Sequence, residues 1–123
     1  VVPMLWDPEL GPVGIEVPEG SAAEQAAVLL PGARVVAGFH SLSSAVLSKP
    51  DRAIGGDVIV TGDDAGAKRT AMALAELIEG VRPVDGGALR YARYSEGLTV
   101  LLLSINRVYK AHAGVVVTDL PGR

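Results

Sequence analysis

The chain has 123 residues, 49% of them apolar and 20% charged, with a net charge of −3 and no cysteine. That length holds one packed core, and the composition is globular rather than disordered. It argues against a phosphate-neutralising nucleic-acid surface and a membrane span of ~20 apolar residues, and it excludes disulfides and thiolate metal sites.

In chain order, "VVPML" at residues 1–5 reads as the end of a buried strand whose partner elements lie upstream. The Pro- and Gly-punctuated stretch Pro8 to Gly20 reads as a long loop. The start has neither the basic lead nor the long apolar run of a signal peptide, so a cytoplasmic protein is expected. Ser21 and Glu24 form a capping box for a helix whose face is Ala22, Ala26, Leu29 and Leu30, stopped by Pro31-Gly32. "ARVVAGF", residues 33–39, has the pattern of a strand covered on both faces. A short helix over Ser43–Lys49 is expected to end at Pro50. "DVIVTG", residues 57–62, is a second buried strand. A helix capped by Asp63 or Asp64 follows, with Ala67, Ala71, Leu74, Leu77 and Ile78 at helical spacing and Gly80 closing it. "VRPVDGG" is a strand-like link. The longest periodic segment, 88–112, carries the stripe Leu98, Leu101, Leu102, Ile105 and Tyr109, with Gly97 inside it in need of a packing or ligand reason. "GVVVTDL", residues 114–120, is a last strand. Alternation of this kind means an α/β layer structure, a mostly parallel sheet with flanking helices and one long C-terminal helix.

Ligands of open parallel sheets sit at the carboxyl ends of the strands. Three strand ends carry polar groups, His40 with Ser41 and Ser43, Thr61 with Asp63 and Asp64, and the Asp85-Gly86-Gly87 turn, and the first is the best candidate. Hydroxyls and free N–H groups at a helix start can meet an anion or a ring carbonyl, the imidazole can donate or accept, and Leu42 offers a flat apolar face. The plain alternative is a strand-end His and a Ser that only caps a helix. "TGDDAGAK" does not satisfy G-x-x-x-x-G-K-[ST], and Asp63 and Asp64 suit helix capping better than acid–base work. His112 ends the long helix, where a cation is favourable in itself, and two distant histidines make no metal site. Arg90, Arg93, Arg107 and Lys110 read as a solvated face, with a charged ligand tail or a partner subunit as the alternative for Arg90 and Arg93, and Tyr91 and Tyr94 share a helix face as packing. No G-x-G-x-x-G follows a strand.

"VIVTGDDAGAK", residues 58–68, followed by "ELIEGVRPVDGGALRYARYSEGLTVLLLSINRVYK", residues 76–110, resembles the C-terminal half of the NADPH-dependent reductases of coenzyme F-420 (F420). The resemblance covers all 123 residues as a single α/β domain, a Rossmann-like remainder lacking the N-terminal Gly-rich βαβ unit. It implies an oxidoreductase fragment that serves hydride transfer between NADP(H) and the deazaflavin F420, by proximity of two rings and with no catalytic acid, base or nucleophile. It also implies that Val2, His40, Ser41, Leu42, Ser44 and Ala113 line the cofactor pocket, and that the chain forms a homodimer through the long helix. With the dinucleotide-binding half absent, the chain alone is expected to be inactive. The competing readings are a non-catalytic dimerisation module and, more weakly, a phosphate hydrolase using Asp63 and Asp64.

Overall fold

The computed structural model describes residues 1–49, 51 and 53–122. Pro50, the expected end of the second helix, lies outside the described residues. Strands β1 (Met4–Asp7) and β2 (Gly11–Gly14) form an antiparallel hairpin, so the opening residues are a partly exposed ribbon and the expected loop over 8–20 is in part a strand. The Asp7 carboxylate builds the turn by accepting from the N–H groups of Glu9 and Leu10 at 2.8 and 2.7 Å. These two bonds hold its pKa below the usual carboxylate value. Gly11 completes the turn at φ +89°, a conformation that costs a glycine little.

Helix α1 (Ala22–Leu29) begins at Ser21 as the sequence predicts. The Ser21 hydroxyl accepts from the Glu24 N–H and donates to the Glu24 carboxylate, both at 3.0 Å. The expected buried face is not found: no residue of α1 is buried, and Leu29 and Leu30 are exposed. Strand β3 (Val36–Ala37), the one-turn helix α2 (Ser44–Leu47), strand β4 (Gly56–Gly62), helix α3 (Ala65–Glu76) and strand β5 (Val81–Asp85) follow. A 3-10 turn over Leu89–Tyr91 leads into helix α4 (Ala92–Tyr109), which ends on Lys110 in the left-handed conformation.

The three-stranded sheet has the order β3-β4-β5. β4 and β5 are parallel, joined through the twelve-residue α3, but β3 and β4 are antiparallel. The expectation of a mostly parallel sheet is therefore not met among the described residues. A parallel crossover needs an element long enough to carry the chain back along the strand. α3 is long enough; α2, with four residues, is not. β3 sits at the sheet edge and is half-buried, so its apolar run is not covered on both faces. The expected last strand is also absent. Residues 114–120 carry no strand assignment, yet they run beside β4. The Asp57 N–H donates to the Val115 carbonyl at 2.7 Å, and the Asp57 carboxylate accepts from the Val117 N–H at 2.6 Å, a side chain standing where a ladder bond would be.

The core is Ile54, Val58, Val60, Ala75 and Val81, with Phe39, Leu42, Val46, Ala71, Met72 and Ile78 packed against it. Leu74 and Leu77, expected on the inner face of α3, are exposed at 54% and 81%, and Ala75 is buried instead. Along α4, Leu102 faces inward while Leu101 and Tyr109 point out. Gly97 has no packing reason, since a Cβ there would meet nothing within 4 Å.

Candidate functional site

The peptide between β3 and α2 is held in an unusual shape. Phe39 has φ +69°, sparsely populated for a bulky residue and costing on the order of 1 kcal/mol or more. Its ring packs on the core, and its carbonyl accepts from the Leu42 N–H at 3.1 Å. This turn reverses the chain and sets out His40, Ser41 and Leu42 along one rim.

Helix α4 fixes that rim from the other side. The Ser95 hydroxyl donates to the Ala92 carbonyl at 3.1 Å, so its oxygen is left to accept from His40 Nε2 at 3.1 Å. The Ser95 contact holds the imidazole in place at the cleft rim. Burial lowers the His40 pKa from its ordinary value, opposed by the nearby Glu96 carboxylate, so a neutral ring is favoured at neutral pH. One turn further, the Thr99 hydroxyl shares its proton between the His40 carbonyl at 3.1 Å and the Ser95 carbonyl at 3.3 Å.

Glu96 is buried and accepts from the N–H groups of Ala22 and Ala23, at 2.7 and 3.2 Å. Together with Ser21 it satisfies the first turn of α1, where four N–H groups lack helical partners and the helix dipole favours an anion.

Past α4 the chain turns back. The Asn106 side-chain carbonyl accepts from the Ala113 N–H at 2.6 Å, and the Asn106 backbone carbonyl accepts from the Ala111 N–H at 3.1 Å. His112 Nδ1 lies 3.3 Å from the Ser43 hydroxyl, which also caps α2.

Between the two walls lies an open cleft of about 470 Å³, within the ordinary range for small-molecule sites. Val2, His40, Ser41, Leu42, Ser44 and Ala113, the six residues singled out in the sequence, all line it. A second hollow of about 350 Å³ continues it past Ser41–Ser43 towards Ile54 and Gly114. Thr99, Leu103 and Asn106 line the cleft as well and were missed. Their helical spacing, four and seven apart, was visible, but their residue types carry no chemical signature. His112 joins the cleft rather than serving only as a helix-end cation.

The other sequence candidates are spent structurally. Asp64 caps α3, accepting from the Ala67 N–H at 2.8 Å, and Asp63 accepts from the Leu89 N–H at 2.9 Å. Asp85 meets Lys68 at 2.9 Å, a bond that pulls its carboxyl pKa down. Arg93 grips Glu24 through Nε and Nη2, and Arg107 donates to the Glu9 carbonyl, pinning the β1–β2 hairpin to α4. Among the described residues no group of three or more His, Asp or Glu could hold a metal ion, and no helix is long and apolar enough to cross a membrane.

The sequence is 38% identical over 104 residues to the F420-dependent NADP reductase of Methanocaldococcus jannaschii, covering 84% of this chain and 47% of that protein. It is 40% identical over 110 residues to the enzyme of the same name from Methanothermobacter thermautotrophicus, covering 87% and 47%. This chain is similar to proteins named F420-dependent NADP reductase. The reductase of Methanothermobacter marburgensis matches at 38% over 110 residues, 87% of this chain and 49% of its own length. The chain spans about half the length of the curated relatives it matches. A crystal structure from Arthrobacter sp. FB24, provisionally named an F420-dependent NADP-reductase, superposes with a TM-score of 0.81 over 96% of this chain and 55% of its own, at 23% identity. That superposition establishes the shared α/β fold. No family model matches the sequence.

Proposed function

We propose that this chain supplies one wall of the ring site in an oxidoreductase that exchanges a hydride between NADP(H) and F420. The observation that carries this reading is the open cleft between β3–α2 and the turn after α4. A strand end filled by its own side chains would have no room for a planar ring. The lining suits such a ring. Val2, Leu42, Leu103 and Ala113 offer apolar contact, while His40 and the hydroxyls of Ser41 and Ser44 offer hydrogen bonds to ring carbonyls and amides.

Among the described residues no Lys or Arg lines the cleft, and no G-x-G-x-x-G follows a strand in the sequence, so the described lining suits rings better than the phosphates of NADP. When bound, the two cofactors supply the redox chemistry, a direct exchange between stacked rings. The residues of this chain bind and orient: Leu42 and Ala113 bound the ring space, and neutral His40, held by Ser95, gives the rim a polar edge.

We further propose self-association through α4, whose Leu101, Val108 and Tyr109 are exposed. Size-exclusion chromatography with Leu101→Glu tests this; a wild-type monomer would contradict it. The redox reading is tested by titrating the chain with oxidised F420 and following its absorption and fluorescence, then adding NADPH. Saturable deazaflavin binding with negligible turnover is expected, with turnover restored by a Gly-rich dinucleotide-binding unit. Full-rate turnover by this chain alone would refute the assignment of NADP phosphate binding to another unit.

A further inference from the structure

We infer that Asn106 is a positioning residue: its side-chain carbonyl sets the place of the Ala113 wall and so the width of the cleft. The inference rests on the ring-site reading above and goes beyond it, since nothing in that reading requires Asn106.

Apart from the 3.3 Å contact of His112 Nδ1 with the Ser43 hydroxyl, the wall around Ala113 has little else to hold it. Residues 110–113 form no regular element, and Ala111 and His112 are exposed. The turn begins at Lys110 with φ +51°, a left-handed residue that is not glycine and is unfavourable unless its surroundings enforce it. The enforcing contacts come from one residue. The Asn106 backbone carbonyl accepts from both Lys110 and Ala111, and its side chain reaches across the turn to the Ala113 N–H at 2.6 Å. From Ala113 the chain runs two residues to Val115, where the buried Asp57 takes hold of it. The segment bearing His112 and Ala113 is thus anchored at Asn106 on one side and Asp57 on the other. Asn106 is the anchor that also lines the cleft.

The chemistry of the anchor is an acceptor on a four-atom side chain. Asn106→Asp keeps that acceptor at the same reach. Asn106→Leu keeps the shape and loses the acceptor, leaving the Ala113 N–H without its partner.

Both variants are compared with the wild type by two measurements: amide hydrogen exchange at Ala113, and titration with oxidised F420 read by its absorption and fluorescence. For Asn106→Leu we expect Ala113 exchange to accelerate at least tenfold and deazaflavin binding to weaken about tenfold, with far-UV circular dichroism unchanged. Asn106→Asp should restore both. Unchanged exchange at Ala113 in Asn106→Leu overturns the inference, and so does faster exchange with undiminished deazaflavin binding. Should Asn106→Leu fail to fold, Asn106→Asp with loosened Ala113 exchange would overturn it, and wild-type exchange and affinity would support it. Failure of the wild-type chain to bind deazaflavin would instead refute the ring-site reading, with Ala113 exchange still judging the anchor.

Discussion

Replacing Glu96 by Ala should destabilise the protein by uncapping α1. Glu96 is only 3% exposed, and its two oxygens accept separate N–H groups at the start of α1. The Ser21 hydroxyl accepts from the third N–H of that turn and the Ser21 carbonyl from the fourth. Glu96→Ala therefore uncaps the first two N–H groups and removes an anion from the positive end of the helix. Hydrogen bonds to a charged acceptor contribute about 1.5–3 kcal/mol each, and the two here share one desolvated carboxylate, so a total loss of about 3 kcal/mol is expected. For a domain of this size that corresponds to a fall of roughly 12 °C in Tm. Glu96→Gln keeps one acceptor and turns an NH2 towards the other N–H, so about half the loss is expected. Thermal and urea unfolding followed by circular dichroism measure both. A loss under about 1 kcal/mol for Glu96→Ala, or equal losses for Ala and Gln, would refute the capping role.

His40 makes stability depend on pH. Its folded-state pKa is depressed by burial, so the unfolded chain takes up the proton first as pH falls. The contribution is intact above the unfolded pKa near 6.5 and is lost as pH drops from there towards the folded value, by at most about 1.4 kcal/mol per pH unit. Urea midpoints from pH 8 to 5 should fall more steeply for the wild type than for His40→Gln; parallel curves would contradict this. Gly80, at φ +84°, lies where an added Cβ would overlap the Ile54 carbonyl oxygen. Gly80→Ala should cost about 2 kcal/mol or more, and a loss within 0.5 kcal/mol in the same assay would show that the loop yields.

His40, Ser41 and Leu42 were legible because local rules placed them, whereas Val2, Ser44 and Ala113 came only from the family resemblance. A continuous apolar run ending in Gly-Phe-His-Ser, followed by a Ser-capped helix, announces a rim of polar groups without any knowledge of the fold. Ser21 and Asp64 were legible as caps because capping uses short side chains at fixed offsets. What could not be read depends on distant partners. β3 has the sequence of a central strand yet lies at an edge, since hydropathy records what a strand can tolerate and not which neighbour it has. The same limit applies to Leu29, Leu30, Leu74 and Leu77, apolar at helical spacing and exposed here. The hairpin over residues 4–14 was hidden by the Pro and Gly that mark its own turn. Thr99 and Asn106 were missed because an acceptor or hydroxyl that holds backbone across a gap looks in sequence like any other polar residue on a helix.

The most direct test of the ring site is a deazaflavin titration of Ser44→Trp beside the wild type and a remote control, Leu77→Trp. Ser44 is an exposed residue of the cleft wall, so a Trp there blocks the opening without touching the core, whereas Leu77 is 81% exposed and lines neither part of the cleft. The account predicts saturable F420 binding by the wild type and by Leu77→Trp, weakened at least tenfold in Ser44→Trp. Equal affinity for all three proteins, or no wild-type binding at all, would contradict it.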